Sequence, residues 1–188
     1  MTIKAQTIGE FLNHVADRTS TPGGGSIAAT TGAEAAALMS MVQQFSDISN
    51  KATLEALNTF LALADDDIAG FSQVMQAYHA PKEVRKTAIA KASKHAAAAP
   101  ADMVRTGLSL IDDIESLVTD GNKNLITDTA MAALLLDATL QSGVLNILIN
   151  LKAIEDPLFL EEMQALIAEA GTARSRLSEI ASSIQSSL

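Results

Sequence analysis

The sequence predicts an all-α protein: one domain over residues 1–188, a bundle of about six or seven mostly long antiparallel helices. Three observations predict it. Apolar residues make up 48% of the 188-residue chain and aromatics only 3%, with no Trp, so alanine and leucine carry the hydrophobicity and helices can pack closely. Apolar positions recur every three to four residues, and no stretch shows the period-two alternation of a strand. The segments are long and their connections short, as in a helical bundle.

Thr7-Ile8-Gly9-Glu10 reads as a capping box, and Ile8, Phe11, Leu12 and Val15 mark the apolar face of a first helix ending near Arg18. Next comes Thr21-Pro22-Gly23-Gly24-Gly25-Ser26, running into the Ala-rich stretch Ile27–Leu38. Three glycines free the backbone at an entropic cost. Ser26 is the expected N-cap of a second helix that reaches about Phe45. The first turn of such a helix presents unpaired N–H groups to an anion or a polar carbonyl. A flexible connection to a buried helix is the plainer reading of the same glycines. A dinucleotide-binding turn is disfavoured, because it needs a strand just before the glycines.

A third helix spans roughly Lys51 to Tyr78, with Leu57, Leu61, Ala64, Ile68, Phe71 and Met75 on one stripe, and Pro81 ends it. A fourth begins there, and Pro100 either kinks or divides it. Ala101 to about Val118 resumes the pattern, and Thr119–Asn124 is turn chemistry. Thr127 or Asp128 is the expected cap of an apolar central helix reaching about Lys152. Asp156-Pro157 opens the last helix, whose stripe is Leu160, Met163, Ile167, Ala170, Leu177 and Ile184.

Charge and composition exclude several roles. A net charge of −9 argues against nucleic-acid binding. The absence of cysteine removes disulfides and thiol catalysis and fits a cytoplasmic location. Met1–Gln6 lacks a signal-peptide core. Ile27–Val42 and Thr129–Leu151 are apolar, but Glu34 interrupts the first, and Asp137, Gln141, Asn146 and Asn150 the second. Both are expected as buried helices, not membrane spans. His14, His79 and His95 have no metal-ligand spacing, so no metal is expected.

The polar groups left over are few. In Asp65-Asp66-Asp67 a step of about 100° per residue aims Asp66 away from the apolar stripe and sets Asp65 and Asp67 on its margins. A solvated acidic face is the plain reading; a partly desolvated Asp suited to proton transfer is the functional one. Asp128, Thr139, Ser142, Asn146 and Asn150 form a polar stripe on the central helix, and a polar stripe there must be bonded, hydrated or part of a site. Lys82, Arg85, Lys86, Lys91 and Lys94 gather positive charge on the fourth helix.

These pieces in order resemble the cyclodeaminase/cyclohydrolase family. They are Pro22–Ser26 with its Ala-rich helix, Asp65–Asp67 followed by Phe71, Tyr78–Lys82, Gly121–Asp128, and Ala132–Ala138 through Asn146–Leu151. The resemblance covers roughly Ile8 to Lys152. It implies a homodimer that acts on a C–N bond of a one-carbon tetrahydrofolate without a metal or a tightly bound cofactor. The reaction is either hydrolysis of 5,10-methenyltetrahydrofolate or cyclodeamination of the formimino compound. It implies Asp65, Asp67 and Asp128 as proton-transfer or pterin-anchoring groups and the Gly23, Gly24, Gly25 and Ser26 backbone against the ligand. Asn146 is expected to orient a polar atom and Lys82 to meet the acidic tail. Three features depart from the family pattern: the lysine-rich segment after the second helix is missing, Leu148 stands where Arg or Lys is common, and Glu34 replaces an apolar residue. The missing lysines favour one alternative, a folate-binding or scaffold protein without catalysis; a second, a helical partner-binding adaptor, needs an exposed apolar groove, which the last helix could provide.

Overall fold

A computed structural model describes residues 2–188, which form α-helices, two short 3₁₀ turns and, among the described residues, no strand. The helices are α1 (Ile8–Ala16), α2 (Gly24–Gln44), α3 (Lys51–Tyr78), α4 (Lys82–Ala96), α5 (Ala98–Leu108), α6 (Ile111–Asp120), α7 (Ile126–Leu151) and α8 (Pro157–Ser187). The all-α expectation holds. α2 lies at the centre, packed against α3 on one side and α7 on the other, and α8 covers α7. Its small residues permit this. Ala28, Ala29, Ala35 and Ala36 are buried, and a Cβ on Gly32 would meet the Phe60 ring of α3 at 2.7 Å.

The Thr7 box forms as read: the Thr7 hydroxyl accepts the Glu10 N–H at 3.2 Å and the Glu10 carboxylate accepts the Thr7 N–H at 2.8 Å. Asp156 also caps as expected, accepting the Phe159 N–H at 3.3 Å ahead of Pro157.

Two expected caps are corrected. α2 begins at Gly24 with Gly23 as its N-cap, so Ser26 is already the third helical residue. Its hydroxyl instead donates to the Ala64 carbonyl of α3 at 3.2 Å, and the side chain is fully buried. α7 begins at Ile126, because the 3₁₀ turn Lys123–Leu125 runs straight into it and leaves neither Thr127 nor Asp128 at the cap. The stretch from Lys82 to Val118 divides twice, at Ala97 and at Ser109-Leu110. Pro100 sits in the first turn of α5, where its missing N–H is no loss. The α3 stripe holds in part: Ala64 is buried and Leu57, Leu61 and Ile68 pack against the core, joined by Phe60 and Leu63, whereas Phe71 and Met75 stay partly exposed.

Lys123–Leu151 is long and apolar enough to cross a membrane by length and composition, but one face of it, with Ala132, Leu136, Leu140 and Ile147, is buried in the bundle.

Candidate functional site

The antiparallel course of α2 and α3 brings the glycine turn to the last third of α3, and α7 ends beside both. Between them lies a cavity of about 600 Å³. This size is typical of small-molecule sites. One wall is backbone, Gly23–Gly25 with Ser20 and Thr21. The second is the end of α3, where Phe71, Val74, Met75 and Tyr78 share one face. The third is the end of α7, with Asn146, Ile149, Asn150 and Lys152, and Ser93 and Ala96 of α4 close the far side.

Asp67 projects into this cavity from α3. Its carboxylate lies so close to the start of α2 that a Cβ on Gly25 would meet its Oδ1 at 2.1 Å. A side chain at Gly25 would therefore displace the Asp67 carboxylate. Burial pushes the Asp67 carboxyl above its ordinary value, and a hydrogen bond from the Ser26 backbone N–H partly opposes the shift. Ser26 also anchors the geometry, since its hydroxyl bond to Ala64 ties α2 to α3 one turn before Asp67. The result is a partly desolvated carboxyl set against the bare amides of a helix N-terminus.

Gly23, Gly24, Gly25, Asp67 and Asn146 all line the cavity. Asn150, the next turn's amide, donates to the Asn146 carbonyl at 2.9 Å. Among the described residues no protein group occupies the Asn146 side-chain amide, which leaves it available to a ligand. Four expected site residues do not line this cavity, and one of them, Ser26, is fully buried behind the glycine turn. Asp65 accepts the Ile3 N–H at 3.0 Å and holds the N-terminal 3₁₀ turn Ile3–Ala5 against α3. Lys82 is exposed at the start of α4. Asp128 lies at the opposite end of α7, about 27 Å along the helix from Asn146. Lys152 is the one cationic side chain among the described lining residues. Sequence reasoning placed it only as a helix end. Ser93 was also missed, and nothing marks it within a lysine-rich helix. Phe71 and Met75 were legible on the apolar stripe of α3, but as core rather than cavity wall, and Val74 was missed. Among the described residues no three His, Asp or Glu side chains are grouped to hold a metal.

The chain is 34% identical over 197 aligned positions to the methenyltetrahydrofolate cyclohydrolase of Methylorubrum extorquens, covering 93% of this chain and 95% of that protein. It is 29% identical to the formimidoyltransferase-cyclodeaminase of Gallus gallus, over 85% of this chain but only 33% of that longer protein. The crystal structure of formiminotetrahydrofolate cyclodeaminase from Thermotoga maritima superposes with a TM-score of 0.87 at 32% identity, over 97% of this chain and 98% of that one. Residues 7–169 match the family model described as formiminotransferase-cyclodeaminase, and the chain belongs to that family.

Proposed function

We propose that this protein, as a homodimer, hydrolyses 5,10-methenyltetrahydrofolate to 10-formyltetrahydrofolate. The observation that carries this reading is Asp67: a carboxyl with raised proton affinity, held under the Gly23–Ser26 amides in a cavity with an apolar wall and a free amide. The similarity to a cyclohydrolase over nearly the whole of both chains supports it.

The methenyl bridge is an amidinium whose carbon carries partial positive charge. Water adds to that carbon and gives up a proton; the carbinol then collapses as its hydroxyl gives up a second proton to become the formyl carbonyl, one bridge nitrogen accepts a proton and its C–N bond breaks. The formyl group stays on the other nitrogen, and one proton is released overall. Asp67 is the group suited to take and return the proton, because burial raises its proton affinity above that of an ordinary carboxylate. While charged, it also complements the cationic bridge. Phe71, Met75 and Tyr78 offer the flat apolar surface a pterin requires, Asn146 offers hydrogen bonds, and Lys152 replaces Lys82 as the cation for the acidic tail.

Formiminotetrahydrofolate cyclodeamination is the second reading. It is favoured by the Thermotoga structure and uses the same proton-transfer group. An absorbance assay separates the two. Loss of the methenyl chromophore above the buffer rate establishes the cyclohydrolase, and its appearance from the formimino compound establishes the cyclodeaminase. Silence with both substrates, together with measurable folate binding, replaces both by a binding protein.

A further inference from the structure

Helix α4 gives little of itself to the core. Ser93 and Ala96 are its two buried residues, and one of them carries a hydroxyl. Ser93 is 4% exposed and lines the Asp67 cavity beside Ala96. A hydroxyl inside a helix commonly bonds back to the carbonyl four residues earlier. Thr59, Ser72 and Thr139 do so here, donating to the Glu55, Ile68 and Leu135 carbonyls at 3.0, 2.8 and 2.9 Å. Among the described residues the Ser93 hydroxyl makes no such bond and has no other protein partner. Nor is it sealed in the core like the two orphaned oxygens there, Gln43 Oε1 and Thr53 Oγ1, which lie at the opposite end of α2. A buried polar group left open on a cavity is satisfied by what fills the cavity.

Its position decides which part of a ligand it meets. α4 runs back along α3, and the two touch where a Cβ on Gly70 would lie 3.1 Å from the Ala96 Cα. Asp67 lies three residues before Gly70, and Ser93 lies three residues before Ala96, so they are displaced in opposite directions from that contact. At 1.5 Å per residue they stand about 9 Å apart along the helices. Ser93 is therefore level with Gln73 and Val74, on the wall that also holds Phe71, Met75 and Tyr78. Beyond Asp67 this wall carries two polar side chains, the half-exposed Tyr78 phenol and the buried Ser93 hydroxyl. Asn146, Asn150 and Lys152 come from α7, across the cavity.

We infer that the Ser93 hydroxyl hydrogen-bonds the pyrimidine edge of the pterin, the edge remote from the one-carbon bridge, and so fixes which way the pterin lies. This rests on the folate reading above and adds a specificity-determining residue to it. With the bridge nitrogens at Asp67, the two fused rings and a hydrogen bond of about 3 Å span the distance to Ser93. The pyrimidine edge carries an amino group, an N–H and a carbonyl. A hydroxyl accepts from the first two and donates to the third. On a wall that is otherwise apolar, leaving that edge unpaired is costly.

Titration calorimetry with three probes tests this. They are 5-formyltetrahydrofolate, 6-methyltetrahydropterin, which lacks the tail, and p-aminobenzoylglutamate, which lacks the pterin. S93A should weaken binding of the first two about three- to tenfold, the range for one neutral hydrogen bond, and leave the third unchanged. In turnover KM should rise by the same factor with kcat unchanged, because the bond is made alike in the ground and transition states. S93A should melt at or above the wild-type temperature, since no protein group loses a partner. Undiminished binding of 5-formyltetrahydrofolate overturns the assignment. So does a loss confined to p-aminobenzoylglutamate, which places the tail against Ser93, and so does a lower melting temperature with weaker binding of all three, which makes the hydroxyl a support of the fold. Wild-type protein that binds none of the three overturns the folate reading itself, a result distinct from wild-type binding that S93A retains.

Discussion

The two ends of α2 are equally dense in sequence motif, yet they are built for different work. At the N-terminal end, Gly23–Ser26 meets Asp67, Asn146 and an apolar wall around a cavity. About 31 Å away, at the C-terminal end of this 21-residue helix, Gly121–Asp128 closes on itself. There the Asn122 N–H donates to the Ser46 hydroxyl at 2.8 Å, the Asn122 side chain reaches the Phe45 carbonyl, and the Lys123 ammonium donates to the Val118 and Thr119 carbonyls at 2.7 Å. Asn122 and Lys123 spend their polar groups there on helix ends. At the glycine end, polar groups are left unspent and one carboxyl is partly desolvated. Within one chain, then, turn-forming residues mark structure at one end and chemistry at the other. The discriminating feature is unused hydrogen-bonding capacity beside an apolar surface.

The comparison breaks first if Asp67 proves dispensable. D67N is expected to lower kcat about 10²- to 10⁴-fold, the range for losing a proton-transfer group, with far-UV circular dichroism unchanged. Stability should move the other way. Asp67 binds its proton more tightly folded than unfolded, so the stability it contributes is full at acid pH and is lost as pH rises through the raised folded value. The Asn variant therefore melts at or above the wild-type temperature at neutral pH and loses that advantage on acidification. A variant that melts lower at neutral pH assigns Asp67 a structural role.

G25A ranks next. Its Cβ would overlap the Asp67 carboxylate, which must swing away, and a displacement of about 1 Å costs roughly 100-fold in turnover. G24A is the comparison: a Cβ there meets no protein atom within 4 Å and leaves Asp67 in place, so its loss of turnover should be smaller than that of G25A. Equal losses in both variants locate the effect in the backbone of the turn. At the other end, G121A places a Cβ 2.4 Å from the Leu117 carbonyl oxygen. It should cost about 1–3 kcal/mol of stability, in the range of a strained backbone site, and leave kcat/KM of the folded fraction unchanged. Chemical denaturation and steady-state kinetics on one preparation separate the two effects.

The fold was legible because helix periodicity, the Thr7 box and the Asp156-Pro157 start are local signals that tertiary packing had no reason to override. The misread caps at Ser26 and Asp128 share a cause. Each is preceded by residues that already take helical or 3₁₀ backbone, so the cap-forming side chain falls inside the helix. The site was half legible. Asp65 and Asp67 are equivalent on a helical wheel, and only the third dimension separates them: the N-terminal turn covers Asp65, while the gap beside Gly25 admits Asp67. Lysines were misjudged for a similar reason. A run from Lys82 to Lys94 is conspicuous in sequence, yet Lys86 and Lys94 pair with Glu155 and Asp156 at 2.7 and 2.6 Å. Lys152 stands alone in sequence, yet it reaches the cavity.

The smallest expected effect tests that last contrast. Lys152 is exposed, so its attraction for a substrate carboxylate is screened by water and salt. K152A should raise KM for the glutamate-bearing substrate by about three- to tenfold, in keeping with roughly 1 kcal/mol for an exposed charge pair, and change kcat little. The increase should shrink at high ionic strength and vanish with a substrate lacking the glutamate. K82A, altered outside the cavity, should show none of this. If K82A raises KM and K152A does not, the acidic tail lies toward the start of α4, and the cavity is filled in the opposite sense, with the pterin at the α7 end.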